Sequence, residues 1–204
     1  MSHTFEKTKT VYDYHHYFRG DSEVGFIIFS GAQADEKSYA YIAKLRHDEG
    51  HTAVLPKAPF HLSMFGIRHG HEIMDDNPQI EKWILIGHSL GGVPASRIAA
   101  KQPGKLIGVA LLATMVSVDL SGLDISAIRI TAENDLIMNK KMMGMHPEYL
   151  PVNSRSIELK GANHTQFGAY KSFSRDGDVT MTWKEQQETA VRLILDFFAA
   201  EIGG

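Results

Sequence analysis

The sequence predicts an α/β protein: one domain over residues 1–204, built on a doubly wound, mostly parallel sheet. Two long apolar runs, Val24–Phe29 and Leu106–Leu112, lack the polar alternation of a half-exposed strand. They read as strands buried on both faces. Helical segments separate the strand segments from residue 24 onward, which argues for right-handed β-α-β crossovers and parallel pairing. The stretch Ile84-Leu85-Ile86-Gly87-His88-Ser89-Leu90-Gly91-Gly92 passes from an apolar strand through a glycine-flanked serine into a helix.

Composition bounds the class. The chain has 204 residues, 43% hydrophobic and 22% charged, enough for one sizeable core. A net charge of −3 gives no reason to expect a nucleic acid or an anionic membrane as partner. The absence of cysteine removes disulfides, thiolate metal sites and a cysteine nucleophile together. Met1 to Tyr17 is polar and has no signal-peptide core, and no run approaches a membrane span. A soluble, cytoplasmic protein is expected.

Taken in order, residues 1–23 are polar and aromatic, with Thr10–Phe18 a candidate edge strand or arm. His15 and His16 are adjacent, so on a strand they point to opposite faces, and surface histidines are expected rather than a metal site. Val24–Phe29 is the first strong strand and ends at Ser30-Gly31-Ala32-Gln33. Asp35 is placed to cap a helix running to Glu49, stopped by Gly50, and Thr52–Leu55 is the next strand, closed by Pro56. The Pro56–Gly66 loop is rich in apolar residues and either tucks under the domain or lines a pocket. His69-Gly70-His71-Glu72 has two histidines but no third ligand spaced to make a metal site.

A short helix to about Asn77-Pro78 leads to the strand Trp83–Ile86 and the helix Val93–Ala100, ended by Pro103-Gly104. Further strands are expected at Leu106–Leu112, Ile128–Thr131 and Ile157–Leu159. Between the last two lies a methionine-rich segment with Met138, Met142, Met143 and Met145. Thr182-x-x-Glu185 is a capping box. It opens a helix whose Ala190, Leu193, Ile194, Phe197 and Phe198 form one apolar stripe. No stretch is long enough for a separate cap domain.

In an open parallel sheet, chemistry gathers beyond the carboxyl ends of the strands. Three such ends carry the residues of nucleophilic catalysis. Ser89 sits in G-x-S-x-G, where Gly87 and Gly91 let strand and helix backbones pass closely. Asp135 follows the strand at Ile128–Thr131, with Glu133 as a rival acid, and His164 follows the last strand in Gly161-Ala162-Asn163-His164. A serine hydroxyl needs a base, and the base needs an orienting carboxylate. His164 would take the serine proton and Asp135 would hold the imidazole tautomer. The oxyanion formed on attack needs N–H donors: that of Leu90, and one from the Gly31-Ala32-Gln33 turn, placed at Ala32. Candidate substrate contacts are Met64 and Phe65 from the apolar loop, His88, Met115 and Phe167. For His88 the side chain is expected to point away from Ser89.

At these residues the chain resembles the small, capless bacterial α/β-hydrolases of the dienelactone-hydrolase-like group. The likeness runs from about Val24 to Phe198. Its most specific piece is Gly161-Ala162-Asn163-His164-Thr165-Gln166-Phe167-Gly168-Ala169-Tyr170, followed by Asp176-Gly177-Asp178. Pro56-Lys57-Ala58-Pro59 and Phe65-Gly66 are also similar. Members often read P-G-G or P-G-A with a basic residue where this chain has Ser30-Gly31-Ala32-Gln33, so the oxyanion turn departs from the pattern. The resemblance implies an α/β-hydrolase fold with Ser89, Asp135 and His164 as the triad.

The function expected is a serine-dependent hydrolase of small to medium carboxylic esters, working through an acyl-enzyme without cofactor or metal. The alternatives are a thioesterase or acyltransferase on the same triad, and a non-catalytic ligand-binding protein. The expected partner is a small-molecule ester, with a homodimer left open.

Overall fold

The computed structural model describes residues 15–57, 66–138, 146–170 and 175–203. Its strands are β1 (His16–Phe18), β2 (Val24–Phe29), β3 (Thr52–Leu55), β4 (Lys82–His88), β5 (Leu106–Leu112), β6 (Ser126–Ala132) and β7 (Ser154–Leu159). The helices are α1 (Ala40–His47), α2 (Gly66–Asp76), α3 (Gly92–Lys101) and α4 (Trp183–Ile202).

The seven strands form one sheet in the order β1-β3-β2-β4-β5-β6-β7. Only β1 is antiparallel, pairing with β3. The chain builds outward from β2 in one direction to β3 and then, from β4 onward, in the other. The sheet therefore has a topological switch point between β2 and β4, which are paired from Val24↔Lys82 to Phe29↔Gly87.

Period-two alternation sorts the side chains of each central strand onto two layers. Phe26, Ile28, Ile84 and Ile86 join α1 and α4 on one face, through Ile42, Ala190, Ile194 and Phe198. Ile27, Phe29, Trp83 and Leu85 join α2 and α3 on the other, through Ile73, Met74, Ala95 and Ile98. Burying each such side chain stabilises by roughly 1.5–3 kcal/mol, so both faces must be covered. That is why these strands read as unbroken apolar runs. The edges differ: β1 is three residues long, and β7 (Ser-Arg-Ser-Ile-Glu-Leu) is mostly exposed and carries Arg155 and Glu158. Short or charged edges resist pairing with a second sheet.

Local departures from expectation have local causes. Asp35 does cap, accepting from the Lys37 N–H, but what it opens is a tighter 3₁₀ turn over Glu36–Tyr39 that passes into α1. His69 and His71 lie within α2. His69 Nδ1 pairs with the Lys57 carbonyl and His71 Nδ1 with Gln102. His15 is buried rather than on the surface. Its Nδ1 accepts from the Lys57 N–H and its ring packs edge-on against His69 at 5.0 Å, filling the space between β1 and α2. Among the described residues, no separate cap domain is evident and no helix is long and apolar enough to cross a membrane.

Candidate active site

The serine turn is shaped by close backbone approach. β4 runs straight into Ser89, which adopts φ 51°. A side-chain-bearing residue in that left-handed conformation costs about 1–2 kcal/mol, so its surroundings must impose it. They do: a Cβ on Gly87 would lie 2.5 Å from the Gly91 carbonyl oxygen, and one on Gly91 would lie 2.3 Å from that of Phe29. Only glycine lets β4, β2 and the start of α3 meet there. The hydroxyl-bearing residue is left at the head of the 3₁₀ turn Ser89–Gly91, which leads into α3. The Leu90 N–H therefore belongs to the unpaired donors of a helix start.

The turn after β2 lies beside it, across the switch point. A Cβ built on Gly31 would be 3.4 Å from Ser89 Cβ, so this turn packs directly on the serine. Gly31 N–H donates to Tyr39 Oη at 3.0 Å. That donor is committed, which leaves Ala32 as the next N–H along. Gln33 follows at φ 59°.

The expected acid and base, Asp135 and His164, follow the ends of β6 and β7. His164 Nδ1 lies 2.8 Å from Asp135 Oδ2, and both side chains are buried. The other Asp135 oxygen accepts from the N–H groups of Ile137 and Met138 at 2.9 and 2.8 Å. With both oxygens accepting, the carboxylate is satisfied in its buried place, and the proton on Nδ1 is assigned to His164. The ring's Nε2 is left as an unprotonated acceptor. Glu133 does not compete: its Oε2 accepts from the Gly161 N–H and its Oε1 pairs with Lys160.

Several side chains hold the histidine loop. Asp176 Oδ2 accepts from the N–H and hydroxyl of Thr165 at 2.8 and 2.6 Å. Its Oδ1 accepts from the Leu136 N–H at 3.4 Å, so one carboxylate grips the residue after Asp135 and the residue after His164. Gln186, fully buried on α4, forms a two-way clasp with Asn163: Oε1 accepts from the Asn163 N–H and Nε2 donates to its carbonyl. The Thr182–Glu185 capping box is formed in both directions and fixes the start of that helix.

Ser89 and His164 line one cavity of about 250 Å³, together with Gly31, Ala32, Gln33, Ile137, Tyr170 and Arg175. Burial pushes the Tyr170 hydroxyl up to about 12, so it stays neutral and can donate. The other expected contacts divide. His88 and Phe167 are in the core, with rings 5.6 Å apart, and neither lines this cavity. The cause for His88 is strand alternation, which turns its side chain to the opposite face from the serine. Phe167 is drawn into the α1–α4 layer. Met115 follows β5, half-buried and away from the cavity-lining set. Met64, Phe65, Met142, Met143 and Met145 lie outside the described residues. Tyr170 and Asp176 stand in and just after the histidine-loop motif but carried no expected role at the site, and neither did Tyr39 or Arg175. For Tyr39 there was one available signal, a phenol at an inward helix position, because a buried hydroxyl needs a partner.

A model of the alpha/beta hydrolase family matches residues 25–188, from β2 into α4. The chain belongs to the alpha/beta hydrolase family. Solved structures of similar fold span nearly the whole chain. An alpha/beta hydrolase enzyme from the metagenome of Mar Chica lagoon sediments, Morocco, is 13% identical with a TM-score of 0.71, covering 96% of this chain and 99% of its own. A monoacylglycerol lipase of Paleococcus ferrophilus is 15% identical with a TM-score of 0.69, covering 91% and 99%. An esterase of a marine microorganism is 14% identical with a TM-score of 0.65, covering 95% and 100%. At these identities the likeness is one of fold. No curated protein sequence gives a significant match.

Proposed function

We propose that this alpha/beta hydrolase is a serine hydrolase of small to medium carboxylic esters, working through an acyl-enzyme. The observation that carries the reading is the buried 2.8 Å pair of His164 and Asp135, with His164 lining the same cavity as Ser89. Ser89 Oγ attacks the ester carbonyl carbon while its proton passes to His164 Nε2. The carbonyl oxygen becomes an oxyanion, held by the N–H groups of Leu90 and Ala32. Collapse breaks the ester C–O bond, and the alcohol leaves with the proton from His164. Water then attacks the acylated Ser89, giving its proton to His164. The carboxylic acid departs and Ser89 recovers its proton. Asp135 keeps Nδ1–H in place and stabilises the imidazolium in each half of the cycle. Every step uses groups of this chain, the ester and water.

The modest cavity favours short acyl groups, because drug-sized ligands fill pockets of about 300–1,000 Å³. The histidine-loop signature at Gly161–Tyr170 supports a place among the small, capless bacterial hydrolases of the dienelactone-hydrolase-like group. The test is a panel of p-nitrophenyl esters from acetate to laurate, run on wild type, Ser89→Ala and His164→Ala. Wild type should be fastest on acetate to butyrate, and each variant should lose on the order of a thousandfold or more in kcat. Wild-type rates in Ser89→Ala would overturn the serine mechanism. A maximum at laurate would overturn the acyl preference.

A further inference from the structure

Beneath the serine lies a polar strap whose chemistry packing does not require. Tyr39 and His88 are both buried to within 1% of complete enclosure. Phenylalanine and leucine would fill this space without polar atoms to satisfy. Instead, Tyr39 Oη accepts from the Gly31 N–H at 3.0 Å and lies 2.6 Å from His88 Nδ1. The Tyr170 hydroxyl, a cavity group, also bonds to Tyr39. The strap joins the residue before Ala32 to the residue before Ser89.

We propose that Tyr39 and His88 are positioning residues that hold the Gly31–Ala32 peptide so that the Ala32 N–H faces the oxyanion. The inference rests on the serine mechanism above and adds what keeps its second donor aimed. Glycine lets the backbone rotate at little cost, so the peptide after Gly31 would turn freely if its own N–H were loose. A half-turn would swing the Ala32 N–H away and present the Gly31 carbonyl oxygen instead. Tyr39 narrows that freedom by anchoring the Ser30–Gly31 peptide, from which the Gly31–Ala32 peptide departs. His88 in turn fixes Tyr39: with His88 assigned the tautomer whose Nδ1 is unprotonated, the phenol donates to Nδ1 and keeps a lone pair for Gly31.

The neutral form of His88 is the one its setting favours. Burial holds its pKa well below the ordinary histidine value, and the neighbouring His164, 4.7 Å away ring to ring, lowers it further. Its Nε2 has no hydrogen-bond partner among the described residues. Positive charge created in the reaction thus stays on His164, which has Asp135 as its partner. Gly31 is itself wedged in: a Cβ there would lie 3.2 Å from His88 Nδ1 and 3.3 Å from Tyr39 Oη.

The experiment compares Tyr39→Phe, His88→Leu and His88→Gln with wild type, using p-nitrophenyl butyrate and counting active sites with a fluorophosphonate. Tyr39→Phe and His88→Leu should each lose roughly 10- to 100-fold in kcat per titrated site, with KM changed by less than about twofold. Binding of phenylboronic acid, a tetrahedral mimic, should weaken by the same factor as kcat, while inhibition by butyrate should not change. His88→Gln keeps an acceptor for Tyr39 and should recover most of the rate. A merely structural role would lower the number of titrated sites and the melting temperature, and leave kcat per site intact. That result, in either Tyr39→Phe or His88→Leu, overturns the inference, so a variant that fails to fold does not rescue it. If wild type neither labels nor turns over esters, the serine mechanism falls and this inference with it. If wild type labels and the variants match it per site, this inference alone falls.

Discussion

The serine turn and the histidine loop line one cavity and are held by different forces. The serine turn is steric: Gly87 and Gly91 allow backbones to touch, Gly92 leaves room for the Thr114 side chain, and no side chain caps the helix start that follows. The histidine loop is polar: Asp135, Asp176, Gln186 and Asn163 fix it through bonds drawn from three separate parts of the chain. Ser89, the proposed nucleophile, should therefore be intolerant of added volume around it, and His164, the proposed base, intolerant of lost hydrogen bonds. The glycines that permit the steric support are clustered in sequence, although the backbone Gly91 meets, at Phe29, is distant; the polar groups are themselves scattered along the chain.

The comparison is broken most severely at the acid. Asp135→Asn keeps the shape of the site but cannot hold the Nδ1–H tautomer, so kcat should fall on the order of 10⁴-fold with the fold retained. Glu133→Gln, whose side chain reaches Lys160 and the Gly161 N–H rather than His164, should stay within about threefold of wild type in the same ester assay.

Added volume is the converse. Gly91→Ala places a Cβ 2.3 Å from the Phe29 carbonyl oxygen, where backbone must move. Stability should drop by about 3 kcal/mol or more, read as a calorimetric melting shift. A variant melting like wild type would contradict the steric account of the turn.

Asp176→Ala is gentler. It leaves Thr165 and Leu136 donors without their acceptor, worth about 1–3 kcal/mol of stability. The activity loss should exceed the loss at Gly91→Ala when both are expressed per folded molecule, because His164 and Asp135 lose their shared clamp. Equal losses would erase the distinction between the two regions.

The smallest effect is in pH. Burial lowers the pKa of His88 and, less strongly, of His51. The unfolded chain gains these protons as pH falls below about 6.5 while the folded protein does not. The unfolded state then binds more protons, so stability is full above that value and declines as pH drops toward the folded pKa. Melting temperature should fall from about pH 6.5 to 5, ahead of the carboxylate window, and His88→Gln should flatten that slope. An unchanged slope in His88→Gln would show that His88 is not the buried neutral base described.

What was legible in the sequence follows the same division. Val24–Phe29, Leu106–Leu112 and the strand before Ser89 announce themselves because burial on both faces leaves no polar alternation. The glycines of the serine turn are visible because Gly87 and Gly91 stand two residues either side of Ser89, even though Gly91 meets the distant Phe29 carbonyl. The Thr182–Glu185 box is equally local. The Tyr39–His88 bond joins residues on separate elements, and the Gln186–Asn163 clasp joins a helix to a distant loop. Neither leaves a trace in local periodicity. His15 escaped for the same reason, since its burial depends on α2 and Lys57. The polar Gln186 and Gln187, buried at the start of an otherwise amphipathic helix, were the nearest thing to a warning. A buried amide demands partners that the sequence does not name.

The most direct measurement is the intact mass of the protein after reaction with a fluorophosphonate, followed by peptide mapping. One adduct per chain, located on Ser89, absent in Ser89→Ala and formed far more slowly in His164→Ala, is the predicted result. An unmodified wild type, or a Ser89→Ala protein that takes up the same adduct, would contradict the assignment of Ser89 as the nucleophile.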